Sequence, residues 1–115
     1  MSGEKPSRGE VWLIDFSPTR SHEPWGVRPG VVVSVDEFNQ GPAGLIIVLP
    51  LTTRPKGIPL HVEVKPPEAN LRQRSFIKCE DIRSVSGERL IERWGAITSA
   101  SMGLIEDRLR LLLAL

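Results

Sequence analysis

Leu45-Ile46-Ile47-Val48-Leu49-Pro50-Leu51 is a continuous apolar run of strand length. A run this short with no polar alternation predicts a strand buried on both faces. Pro50 removes one ladder donor, which predicts a bulge or an unpaired edge there. Outward from this run, the chain reads as short strands between Gly- and Pro-rich turns. Val11 to Phe16 and Gly30 to Val35 precede it. Leu60 to Lys65 (LHVEVK) follows, alternating with period two as a half-buried strand does. Ser75 to Ile82 is another strand, Arg83 to Ser86 continues or bends it, and Trp94 to Ile97 is a last short one. The character changes at Thr98. Thr98 or Ser99 can cap a helix, and Met102, Ile105, Leu109, Leu112 and Leu113 then recur at spacings of three or four. The sum is a mainly β fold with a C-terminal α-helix: a small twisted β-barrel, or a strongly coiled sheet, closed by that helix.

At 115 residues the chain is one domain of ordinary size. Residues 1–7 are polar and read as a disordered lead-in to a domain spanning 8–115. The net charge of +1 gives no global signal for nucleic acid, so an anionic partner must be met by a local patch. The single cysteine, Cys79, cannot form an internal disulfide and fits a reducing compartment. With no signal-peptide pattern and no apolar run near the ~20 residues of a membrane span, the expected location is the cytoplasm.

Chemistry concentrates in a few places. The run His22-Glu23-Pro24-Trp25-Gly26-Val27-Arg28-Pro29 sits between two strands and is too long for a tight hairpin. It holds an imidazole, a carboxylate, an aromatic ring and a guanidinium. Trp25 either caps the core or offers a stacking surface to a base. Pro29 restricts Arg28 to extended backbone, which helps aim its side chain. Thr52-Thr53-Arg54-Pro55-Lys56-Gly57 places hydroxyls and two cations at the end of the buried strand, a phosphate-binding composition. Strand alternation puts Phe76, Lys78 and Glu80 on one face and Ile77 and Cys79 on the other. Lys78 and Glu80 are therefore expected side by side on the outer face, and Cys79 as a buried structural thiol. The borderline metal ligands His22, His61 and Cys79 are scattered, without HxH, HExxH or CxxC spacing, so no metal or other cofactor is expected.

The order of these elements is specific. RGEVWLIDFSPT, then HExxGxRPxVVVS, then VxPLTT, then SFIKCEDIRSVS, then a helix ending LRLLLAL, resembles the MazF/PemK/Kid family of toxin ribonucleases from Arg8 to Leu115. The resemblance implies an SH3-like β-barrel of the CcdB/PemK type. It implies a homodimer that cuts single-stranded RNA without metal at short motifs, as the toxin of a type II toxin-antitoxin system. It also implies a cognate MazE-like antitoxin with a disordered acidic C-terminal tail. The family's catalytic arginine matches Arg28 and its catalytic threonine Thr52. The histidine and glutamate of Kid-type members match His22 and Glu23. Their later arginine and aspartate correspond to Lys78 and Glu80, which keep charge but change reach and geometry. Pro24-Trp25 replaces small polar residues common at that point in the loop.

With no metal, the nucleophile must be the RNA's own 2′-hydroxyl, leaving a 2′,3′-cyclic phosphate (or its 3′-phosphate product) and a 5′-OH. Arg28 is too basic to give up its proton and suits donation to the phosphate. Thr52 can bond a phosphate oxygen, and either Glu80 or His22 can be the general base. Trp25, Glu23, Thr53, Arg54, Lys56, Arg74 and Lys78 are the expected RNA contacts. Two other readings compete. A CcdB-like toxin would poison gyrase through a protein interface, but would not need Arg28, Thr52 and the loop histidine together. A Pro-rich peptide-binding module would be expected to show tyrosines, and the chain has none.

Overall fold

The computed structural model describes residues 5–17 and 26–115. Seven strands form the sheet: β1 (Glu10–Asp15), β2 (Val27–Val32), β3 (Leu45–Thr52), β4 (His61–Val64), β5 (Ser75–Lys78), β6 (Arg83–Ser86) and β7 (Leu90–Ala96). A short helix α1 (Asp36–Asn39) follows β2, and α2 (Ser99–Leu113) ends the chain. The pairing path is β4-β5-β3-β2-β1-β7, with β6 alongside β3. The strand pairings among the described residues are antiparallel. The outer strands β4 and β7 do not pair, so the sheet coils without closing into a barrel.

The apolar run from Leu45 forms β3, an inner strand of the sheet, mostly buried as expected. It is long enough to serve two neighbours in turn on one side: β6 up to Val48 and β5 from Leu51. Pro50 falls in the gap between those two ladders, where a missing N–H costs no hydrogen bond. On its other side Pro50 faces Gly30. A Cβ at Gly30 would come within 2.8 Å of the Ile14 terminal methyl, which would have to shift to admit it.

Two apolar layers follow from strand alternation. Val11, Val31, Leu49, Leu51, Val62 and Ile77 face α2, where Met102 and Ile105 meet them. Trp12, Ile14, Phe16, Val32, Ile46, Val48, Val85 and Leu90 form a second layer on the opposite face. Burial of each large side chain contributes ~1.5–3 kcal/mol. Thr98 is the helix cap: its Oγ1 accepts the Ser101 N–H at 3.1 Å. Ala114 ends the helix in the left-handed region, at φ 58°.

Several expectations need correction. The second strand runs from Val27 to Val32, so Arg28 and Pro29 belong to it rather than to the preceding loop. The strand from Ser75 stops at Lys78, because Cys79–Asp81 turns into a 3₁₀ step. The last strand begins at Leu90, earlier than Trp94. Leu112 and Leu113 are exposed rather than in the core stripe, because α2 extends past the sheet it covers. With Leu104, Leu111 and Leu115 they leave a leucine-rich helix end in solvent. Of the expected lead-in, residues 1–4 lie outside the described residues. Pro6 is buried, and the Ser7 N–H donates to Glu10 Oε1 at 2.8 Å. No helix among the described residues is long and apolar enough to cross a membrane.

Candidate active site

A single level of the sheet carries the expected chemistry. Ile14 pairs with Arg28 across β1 and β2. Gly30 pairs with Pro50, and the same register carried one pleat further brings Arg28 level with Thr52. Thr52 pairs with Phe76, and Phe76 with Glu63. Directly opposed residues point the same way, so Arg28, Thr52, Phe76 and Glu63 form a row on the face of the second apolar layer. One pleat away, Lys78 and His61 oppose each other on the same face.

The end of β3 fixes the threonine. Thr52 Oγ1 accepts the Arg54 N–H at 3.2 Å, which leaves its hydroxyl proton to donate outward. Thr53, Arg54 and Lys56 follow in an exposed loop. Arg28 is exposed in β2. Arg74 stands just before β5, with its guanidinium over the Phe76 ring at 5.0 Å from the centroid and hydrogen-bonded to Glu63. That bond is the main reason the Glu63 carboxyl sits below its ordinary range. His22, Glu23 and Trp25 lie outside the described residues.

The Lys78–Glu80 pair is not formed. Alternation fails at the 3₁₀ step, and Glu80 turns away to meet His61, with Oε2 at 2.9 Å from Nε2. The His61 side chain is only 4% exposed. Lys78 instead lies 3.5 Å from Asp81, which also pairs with Arg83. The Arg83 guanidinium in turn lies over Phe16, 5.5 Å from the ring centroid. Cys79 is fully buried, as expected, and burial with the adjacent Glu80 charge pushes its thiol up to about 11.

His61, Glu63 and Asp81 escaped the sequence reading as members of this face. His61 and Glu63 are the polar half of the alternating LHVEVK run, a signal that places them on the outer face but names no partner. Asp81 could be placed only once the 3₁₀ step was known.

The far end of the motif set is structural. Glu10 Oε1 accepts from Ser7 N–H and from the Trp12 indole at 3.0 Å, while Oε2 accepts from Arg93 at 2.7 Å. Arg8 ties this corner to the helix through Glu106 at 2.9 Å and to the Val33 carbonyl at 3.0 Å. The RGEVW segment therefore ties the start of β1 to α2 and β7.

The fold and the sequence have counterparts among known proteins. The sequence matches the family described as PemK-like, MazF-like toxin of type II toxin-antitoxin system over residues 7–113. It is 34% identical over 109 residues to the protein named endoribonuclease MazF9 of Mycobacterium tuberculosis, covering 90% of this chain and 92% of that one. Its structure is similar to crystalline MazF from Deinococcus radiodurans, with a TM-score of 0.82 and 26% identity over 97% of this chain and 99% of that one. A MazE-MazF crystal structure from the same organism matches with a TM-score of 0.81 and 26% identity, over 97% and 98% of the two chains. The chain belongs to the PemK-like, MazF-like toxins of type II toxin-antitoxin systems.

Proposed function

We propose that this toxin endoribonuclease cuts single-stranded RNA by 2′-hydroxyl attack, with Arg28 and Thr52 holding the scissile phosphate. The observation that carries this is that Thr52 and the exposed Arg28 lie on one face of the adjacent strands β2 and β3, each two residues beyond the Gly30–Pro50 pair, with Thr52 Oγ1 accepting the Arg54 N–H and its proton left to donate. The 2′-oxygen attacks phosphorus, the P–O5′ bond breaks, and the products are a 2′,3′-cyclic phosphate and a 5′-OH. Arg28 donates to the non-bridging oxygens as negative charge builds on them, and Thr52 adds a weaker neutral bond. Nothing in this route calls for a metal.

Glu80 is engaged by His61, and its second oxygen is buried. That favours His22 as the group that takes the 2′-proton at neutral pH. Arg54 and Lys78 supply cations for the backbone, and Lys56, Arg74 and Thr53 are further RNA contacts, with Glu23 and Trp25 from the β1–β2 loop. The protein acts in the cytoplasm as a two-fold homodimer joined in part by the exposed leucines of α2. A MazE-like antitoxin with a disordered acidic C-terminal tail would compete with RNA for the same cations. The Deinococcus radiodurans complex, a MazE-MazF pair on a similar fold, supports that partner. The test is incubation of purified protein with a long single-stranded RNA in EDTA, followed by mapping of the cut ends. Cleavage leaving 5′-OH ends is expected, and intact RNA would overturn the reading.

A further inference from the structure

Next to Thr52 the same face sinks into a recess of about 280 Å³ lined by Lys56, Gly57, His61, Glu63, Arg74 and Phe76. The loop after Thr52 makes one wall, and the β4–β5 pair makes the floor. Thr52 and Phe76 are direct cross-strand partners, so the recess begins one strand spacing, ~4.8 Å, from the proposed phosphate site.

The floor is built for a flat ligand. The Phe76 ring is buried beneath the Arg74 guanidinium, while the Arg74 side chain is 57% exposed. Glu63 holds that guanidinium by a hydrogen bond, so its plane is set before anything binds. A nucleobase stacks well on such a plane, and a pre-set guanidinium loses little freedom in doing so. Edge recognition is also available. Both ion pairs of Glu63, to Arg74 and to Lys65, fall on Oε2, which leaves Oε1 to accept from a ligand. Lys56 stands on the opposite wall as a donor.

We propose that this recess is a base-recognition subsite. The base beside the scissile phosphate stacks on Arg74, donates from its Watson–Crick edge to Glu63 Oε1 and accepts from Lys56. Guanine, with two adjacent donors beside an acceptor, fits best, and uracil, with one donor between two acceptors, fits worst. The proposal rests on the nuclease reading above.

Arg74→Lys separates stacking from charge, since lysine keeps the cation and loses the plane. A random-sequence RNA pool is cut by the wild type, Arg74→Lys and Glu63→Gln, and the ends are sequenced. The wild type should show a base preference, with guanine favoured, at one position flanking the cut. Arg74→Lys should blur that position and lower kcat/KM on the preferred RNA by ~5- to ~150-fold, the range set by loss of one base stack. Glu63→Gln, which swaps an acceptor for a donor, should change the preferred base at that same position. An unchanged motif and rate in Arg74→Lys would overturn the subsite. A uniform loss on all sequences would assign Arg74 to a phosphate and overturn it equally. A wild type that cut no RNA would overturn the nuclease reading, and the subsite with it.

Discussion

The His61 imidazole closes on the Glu80 carboxylate at 2.9 Å, and neither His61 Nδ1 nor Glu80 Oε1 has another protein partner among the described residues. The pair therefore depends on itself. Removing the imidazole leaves a partly buried carboxylate without its hydrogen bond, which costs about 1–3 kcal/mol. His61→Ala should lower unfolding stability by that amount. In a Glu80→Gln background the same change should cost clearly less, because the stranded charge is gone. Denaturant melts of the four proteins measure this coupling. Strictly additive effects would mean the two side chains do not support each other.

Catalysis should divide unequally among the proposed groups. Arg28→Ala should lose ~10²- to ~10³-fold in kcat while keeping the fold, since its catalytic bond is made mainly to transition-state charge. Thr52→Ala should lose less, as a neutral donor makes the weaker bond. His22→Ala should be more damaging than Glu80→Gln. Single-turnover rates on one defined RNA give the ranking. Near-normal cutting by Arg28→Ala would remove the centre of the proposed site.

Glu10 should make the fold sensitive to acid. Partial burial works against its ionised form, but the Ser7 N–H, the Trp12 indole and Arg93 outweigh this and lower its pKa. A lowered carboxylate pKa gives stability that is full above the ordinary value of 4.5 and is lost as pH falls through the folded value. Glu10→Gln should therefore flatten the fall in Tm below about pH 4.5. An acid limb as steep as that of the wild type would place the sensitivity elsewhere.

Cys79 should be inert in the folded protein. Burial first, and the Glu80 charge second, raise its thiol to about 11, with Arg108 pulling the other way. At neutral pH the thiolate is scarce and the sulfur is covered. Iodoacetamide should leave the native chain unmodified and label it quickly in denaturant. Fast labelling of the native state would show that this corner opens readily.

The sequence made the outline of the fold legible because its signals were local. LIIVLPL could be nothing but a buried strand, and Met102, Ile105 and Leu109 marked the helix face that meets the sheet. The level of Arg28 with Thr52 was not legible, because it depends on register between β2 and β3. Alternation misled at Glu80, because a 3₁₀ step consumes residues without keeping the period of two. The capacity of Phe76 to serve as a floor was hidden for a related reason. Only the tertiary structure shows Arg74 folding back over it. Leu112 and Leu113 had helical spacing without a sheet beneath them, which periodicity cannot reveal.

The central claim is that the RNA supplies its own nucleophile. The most direct measurement uses one RNA with a mapped cut, made again with a single 2′-deoxy nucleotide on the 5′ side of that cut, both incubated with the protein in EDTA. The all-ribose RNA should be cleaved to a 2′,3′-cyclic phosphate and a 5′-OH, and the 2′-deoxy RNA should stay intact at that position. Cleavage of the 2′-deoxy RNA, or activity that vanished in EDTA and returned with Mg²⁺, would contradict it.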